Sequence, residues 1–251
     1  MPTDPSRLFL SLYCGSIALQ TALHYREQLQ FFRTQPARIY GPAPLLLGLI
    51  RLPSGANEAL FAFAGAGFIS TLAAAACGFV PRLMLAAALI CFLIYFAPIL
   101  PLGYIQRKVN LIPIVLTVLM VAPGRTIPLV KIAIAMVYLS GALEKLRNAG
   151  IRWMDGRSLQ GRLIEHYLYT QRPQALWLAR RSGLCRTLSV LVLVWELSFW
   201  LVIVFPPLAW IYVPAGLAFH AGTAVAMRIH YWIYFCPAYF VFAAPWLSTR
   251  I

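Results

Sequence analysis

The sequence predicts an all-α fold: a polytopic integral membrane helical bundle of seven to eight transmembrane helices, built as one domain over 1–251. Three observations carry this. The 251 residues are 61% hydrophobic and 11% charged, with a mean hydropathy of +0.75, whereas a soluble domain is about 45–50% apolar and about 25% charged. Two uncharged runs, Ala59 to Val80 and Leu83 to Leu102, each supply the ~20 apolar residues that a bilayer crossing needs. The 21 Lys and Arg, against 7 Asp and Glu, sort to one side of the expected spans. This composition excludes a soluble enzyme, a disordered chain and a secreted disulfide scaffold.

Eight segments are the expected spans: 7–24, 57–79, 83–103, 109–122, 127–146, 184–205, 209–228 and 231–247. The first begins like a signal peptide, with Arg7 and then Leu8 to Leu19. No small-x-small site closes it, and Gln20 and His24 follow, so it reads as an uncleaved span. The second is rich in small residues, among them Ala62, Ala64, Gly65 and Gly67, which allow close helix contact in lipid. Pro81 and Arg82 separate it from the third. The fourth is short and holds Pro113, so a tilted or re-entrant piece and a full crossing both stay open. The fifth is 127–146. The segment 147–183 is expected to form amphipathic interfacial helices: Leu159, Leu163, Ile164 and Tyr167 recur at helical spacing, and Leu176-Trp177-Leu178 precedes Arg180 and Arg181. The sixth and seventh spans turn at Pro206 and Pro207. The eighth is rich in Tyr, Trp, Phe and Pro.

With eight spans, 16 of the 21 cations fall in the loops after spans one, three, five and seven or at the span ends that border them. Only Arg7, Arg82, Arg125, Lys131 and Arg250 fall on the other side. The excess of Lys and Arg marks the cytoplasmic side, which puts the Arg-rich loops there, in reach of anionic lipid headgroups. No basic stripe with interleaved aromatics lies outside the spans, so a nucleic-acid partner is not expected. The five cysteines, Cys14, Cys77, Cys91, Cys185 and Cys236, are scattered and suggest neither disulfides nor a metal site.

Ionisable groups inside a span are costly and mark function. Glu196 lies near the middle of span six and His220 near the middle of span seven; Lys145, next to Glu144, ends span five. Counted from the Pro206 turn, Glu196 is ~16 Å deep and His220 ~20 Å. The two could share a level, with Glu196 accepting a hydrogen bond from the imidazole, as a proton relay or as a structural clamp. Lys145 reads either as a snorkelling interfacial lysine or, if desolvated, as a base. No metal-ligand spacing, Gly-rich phosphate loop, GxSxG or HExxH is present.

The segment Tyr138-Leu-Ser-Gly141-Ala-Leu-Glu144-Lys145-Leu146, followed by Trp153-Met-Asp155-Gly156, resembles the signature of the horizontally transferred transmembrane (HTTM) domain. This is the membrane domain of vitamin K-dependent γ-carboxylase and its bacterial relatives. The stretch Gly78 to Arg82, Glu196, and Phe219-His220 with Met227 and the aromatic run Tyr231 to Phe235 agree in order with that family. The resemblance implies a single HTTM-like domain in a bacterial inner membrane. It implies a quinone or quinol as cofactor, Lys145 as the base that deprotonates it, and Glu196 and His220 as further catalytic candidates. Tyr138, Gly141, Leu146, Trp153 and Gly156 become the structural motif, with Trp153 and Gly156 anchoring the turn after the helix. The chain departs from the carboxylase in carrying Glu144 where that enzyme has a second lysine, a carboxylate placed to pair with Lys145. The charge pattern also turns the Lys145 end toward the cytoplasm, whereas the carboxylase works toward the lumen.

Three functions follow. One is a carboxylase-like membrane enzyme acting with a quinol on a peptide or lipophilic substrate. The second is a non-catalytic subunit or accessory protein that docks a membrane-protein partner through its Arg-rich segment. A small transporter with helices broken at Pro98, Pro113, Pro206 and Pro214 ranks third, because no inverted repeat is visible.

Overall fold

A computed structural model describes residues 4–34, 44–45, 50–51, 58–96, 111–227 and 235–247. Arg38, Pro98, Arg107, Lys108, Arg228, His230, the run Tyr231 to Tyr234 and Arg250 lie outside the described residues. Apart from one two-residue ladder, Pro44–Leu45 antiparallel to Ile50–Arg51, the regular structure is helical. The described chain forms two compact units, residues 1–130 with 233–251, and residues 131–232.

The first unit contains α1 (Pro5–Thr34), α2 (Glu58–Ala76), α3 (Pro81–Phe96) and α4 (Leu111–Val121). The turn Cys236–Tyr239 and α11 (Phe240–Leu247) complete it. Helix α2 packs between α1 and α3, α3 against α4, and α1 against α11. Its core is aromatic: Phe9, Tyr13, Phe61, Phe68, Phe92, Tyr95 and Phe96 are all fully buried. Phe61 and Tyr95 pack at 4.6 Å between ring centroids, as do Phe92 and Phe96. The small residues of α2 make this approach possible. A methyl group on Gly65 would lie 2.7 Å from the rings of both Tyr25 and Tyr95. Tyr25 then donates its hydroxyl to the Ala62 carbonyl at 2.7 Å. Helix α2 stops at Gly78, whose φ of +80° suits glycine; the Gly78 amide donates to Ala75 and that of Phe79 to Ala74, which closes the helix end.

The second unit carries most of α5 (Thr126–Ala149), a 3-10 segment over Gly150–Asp155, α6 (Arg157–Thr170), α7 (Pro173–Ala179), α8 (Ser182–Ser198), α9 (Leu201–Val204) and α10 (Ala209–Met227). A small apolar core of Leu163, Ala175, Ala179 and Cys185 joins α6, α7 and α8, with Met227 of α10 packed against it. Gln160 donates from Nε2 to the Ala179 carbonyl at 2.8 Å, which ties α6 to the end of α7.

Among the described residues, three stretches are long and apolar enough to cross a membrane: Glu58–Ala76, Pro123–Asp155 and Pro206–Met227. They match the expected spans 57–79, 127–146 and 209–228. The expected spans 83–103, 109–122 and 231–247 coincide with shorter apolar helices among the described residues. The described part of helix α4, at 11 residues, is ~16 Å long. Helix α1 runs to Thr34, ten residues beyond the expected 7–24, because its second half, with Gln20, His24, Arg26 and Glu27, stays helical after the apolar run ends. The expected span 184–205 is two helices, since the α-helical turns break at Phe199–Trp200 and resume as α9. The segment 147–183 does form helices, α6 and α7, at the expected places.

Candidate functional site: a lysine–glutamate pair beside an aromatic cluster

Tyr138, Gly141, Ala142 and Lys145 repeat at i, i+3, i+4 and i+7 on α5, which aligns them on one helix face. Tyr138 and Ala142 are buried. On α8 the buried residues are Cys185, Ser189, Leu193 and Glu196. These two faces supply the site.

Lys145 Nζ donates to Glu196 Oε2 and forms an ion pair with it. The side chains are 21% and 7% exposed, so the lysine is turned inward. The same Nζ stands 3.4 Å from the Gly141 carbonyl and 5.7 Å from the centre of the Trp153 ring, within cation–π range. Gly141 leaves room for this. A methyl group there would sit 3.7–3.8 Å from both Glu196 oxygens and from Nζ, in ordinary contact, and a larger side chain would displace them. Leu146, the next motif residue, is half-buried and follows Lys145 in the last turns of α5.

Trp153 is held by the 3-10 segment, which packs along α8. Gly156 ends that segment with φ +84°, and its amide donates to the Trp153 carbonyl. A methyl group on Gly156 would lie 2.5 Å from the Arg186 amide nitrogen and 2.8 Å from the Cys185 carbonyl carbon. This is backbone against backbone, so only glycine lets the turn close on α8. Trp153 Nε1 and Ser189 Oγ are buried and have no hydrogen-bond partner among the described residues.

The second polar contact is Tyr138 with His220. The phenol oxygen and Nε2 are 2.9 Å apart. With the proton on Nδ1, Tyr138 donates to Nε2; in the other tautomer Nε2–H donates to the phenol oxygen. Around Tyr138 stand Trp195 at 4.4 Å, edge to face, and Phe199 at 4.6 Å between centroids. Trp195 Nε1 donates to the Tyr212 carbonyl, and the Tyr212 hydroxyl donates to Ser198 Oγ at 2.8 Å. An unpaired polar group costs several kcal/mol in hydrocarbon. The Tyr138–His220 and Tyr212–Ser198 contacts and the Trp195 bond give the polar atoms of this aromatic cluster partners.

The expected Glu196–His220 hydrogen bond is corrected. Glu196 serves Lys145, and His220 serves Tyr138. The depth arithmetic fixed height along each helix and not rotation about it. Lys145 is likewise not a snorkelling end residue: its contact puts the end of α5 level with the middle of α8. Tyr138 stands seven residues before it, ~10 Å along the axis, and meets the level of His220. An acid that holds Lys145 is Glu196, 51 positions away in the sequence. The sequence reading placed Tyr138 only as a structural motif residue. Trp195, Phe199, Tyr212 and Ser198 were not singled out at all, since aromatic residues are abundant throughout the chain. No cluster of His, Cys, Asp or Glu suited to a metal exists among the described residues.

Comparison with family models, with curated proteins and with solved structures finds no match.

Proposed function

We propose that the chain is a polytopic membrane protein with eight crossings and cytoplasmic Arg-rich loops, and that Lys145 and Glu196 form a proton-handling site for a lipophilic hydroxy compound such as a quinol. The observation that carries this is the Lys145–Glu196 pair itself, largely buried between helices whose outer surfaces are apolar. Met136 and Leu143 of α5 and Leu191 and Val194 of α8 are each more than half exposed. Such surface is unfavourable in water and is solvated in lipid.

A buried lysine–glutamate pair holds one exchangeable proton between its amine and its carboxylate. With the proton on Glu196, the Lys145 amine is a base; with it on Lys145, the Glu196 carboxylate is. Either microstate accepts a proton from a hydroxyl brought to the pair, and the ammonium then stabilises negative charge nearby. The unpartnered donors Trp153 Nε1 and Ser189 Oγ fit a ligand with oxygen acceptors, and the Trp153 ring fits a flat apolar one. A bound quinol would supply the acidic hydroxyl and a two-electron couple. This assigns catalytic roles to Lys145 and Glu196, and to Tyr138–His220 a supporting hydrogen bond. The resemblance to the HTTM domain and the carboxylase points the same way, and makes a peptide or lipophilic compound the substrate.

A non-catalytic membrane subunit is the second reading. It is favoured by exposed Arg147, Arg152, Arg172 and Arg186, which make no salt bridge among the described residues. Mass spectrometry of the lipid extract of purified protein separates the two. A quinone present in wild type and lost from folded Lys145→Met supports the proton-handling site. Equal quinone in both, or none in either, overturns it.

A further inference from the structure

Helices α6 and α7 fold back on each other through Gln171, whose φ is +52°. Ala175 and Ala179 face the core with Leu163. The other face leaves an open groove of about 360 Å³ between the helices, lined by Tyr167, Pro173, Leu176, Trp177, Arg180 and Arg181. The lining is divided chemically. Pro173, Leu176, Trp177 and the Tyr167 ring are apolar or aromatic, and the two guanidiniums supply its charge.

The Arg181 guanidinium sits over the Trp177 ring, with Cζ 3.6 Å from its centre. Stacking takes up the face of the guanidinium and leaves its N–H edge to bind an oxyanion. Neither Arg180 nor Arg181 makes a salt bridge among the described residues. Asp155 pairs with Arg157 and Glu165 with Arg162. Next to the groove, α6 exposes Ile164, Leu168 and Tyr169, and Tyr169 is 80% exposed. With Arg157 and Arg162 in its first turns, α6 combines a charged start with this exposed apolar strip.

We propose that this groove is a binding site for an anionic phospholipid. Arg180 and Arg181 take the phosphate oxygens in charge-assisted hydrogen bonds. Trp177, Leu176 and Pro173 take the glycerol and the start of the acyl chains. Free phosphate shares the headgroup chemistry, but it would leave the apolar part of the groove unfilled. The site rests on the membrane reading above and does not depend on a quinol at Lys145.

The test is native mass spectrometry of the full chain in detergent, titrated separately with dioleoylphosphatidylglycerol, dioleoylphosphatidylcholine and inorganic phosphate. One phosphatidylglycerol is expected to stay bound. Its apparent affinity should fall about tenfold in R180Q/R181Q, the scale of one lost charged hydrogen bond, and hold in the charge-matched control R147Q/R152Q. R180K/R181K and W177F, which keep charge and ring, should retain part of it, and W177A should lose it. Unfolding midpoints of the variants confirm that each is folded. Equal affinity in wild type and R180Q/R181Q overturns the site. So does phosphatidylcholine binding as tightly as phosphatidylglycerol, or inorganic phosphate displacing the lipid at equal concentration. Any quinone bound at Lys145 appears in the same spectra as a separate mass that these variants leave unchanged. The two readings can therefore fail independently.

Discussion

Breaking the Lys145–Glu196 pair from one side should cost more than removing it altogether. Lys145→Met leaves the Glu196 carboxylate, 7% exposed, with no cation beside it. Removing one partner of a buried ion pair costs about 3–5 kcal/mol. The 21% exposure of Lys145 lets some solvent reach the site, which argues for the lower end, about 3 kcal/mol. For a chain of this size that is a fall of about 6–12 °C in unfolding midpoint. Glu196→Leu strands the ammonium and should do the same. The double variant K145M/E196L replaces the pair by apolar groups of similar length, which is often neutral or stabilising. Its midpoint should therefore lie above that of either single variant. The assay is thermal unfolding of the purified chain in one detergent, followed by tryptophan fluorescence. A double variant whose loss equals the sum of the single losses would show that the two groups do not interact and would refute the reasoning.

Gly156→Ala should cost about 3 kcal/mol or more. It combines a left-handed backbone, itself ~1–2 kcal/mol for a non-glycine, with a clash against the Arg186 backbone that no side-chain rotation relieves. Thermal unfolding checks this against Gly161→Ala, where a methyl group meets nothing within 4 Å and helix propensity predicts a gain of ~0.5–1 kcal/mol. Tyr138→Phe removes the 2.9 Å contact with His220 and should cost about 1–3 kcal/mol; an unchanged midpoint would mean that the bond contributes nothing. On α6, burial holds the His166 imidazole below its ordinary value, and Arg162 adds to this. Glu165 and a hydrogen bond with the Met227 backbone oppose the shift. A depressed folded value means that the unfolded chain binds the proton more readily. The stabilisation is present above the usual histidine value of about 6.5 and is lost as pH falls through the lower folded value. Midpoints measured from neutral to mildly acidic pH should drop for wild type and flatten for His166→Gln.

Much of the helix plan could be read from local pattern. The interior of α5 follows from an apolar run bounded by Pro123 and Gly150, and α10 from one bounded by Pro207. Helix α1 was harder: Gln20, His24 and Glu27 end an apolar run, but they do not end a helix. The site was legible only residue by residue. Lys145, Glu196 and His220 stood out because charges and imidazoles inside apolar runs are costly. Their pairing did not, because it depends on rotation of α5, α8 and α10 about their own axes. Gly156 was recognisable as a motif glycine, but its reason, the close approach of the Arg186 backbone, belongs to tertiary packing. The α6–α7 groove was half visible. Trp177, Arg180 and Arg181 suggested an interfacial helix, whereas the stacking of Arg181 on Trp177 needs coordinates.

Equilibrium binding of a short-chain quinol to the purified chain tests the proton-handling site most directly. Wild type should bind saturably and quench tryptophan fluorescence, through Trp153 beside Lys145. The folded double variant K145M/E196L should bind at least tenfold more weakly, the loss of about 1.4 kcal/mol or more. Equal binding by the two proteins would contradict the assignment of Lys145 and Glu196 to that site.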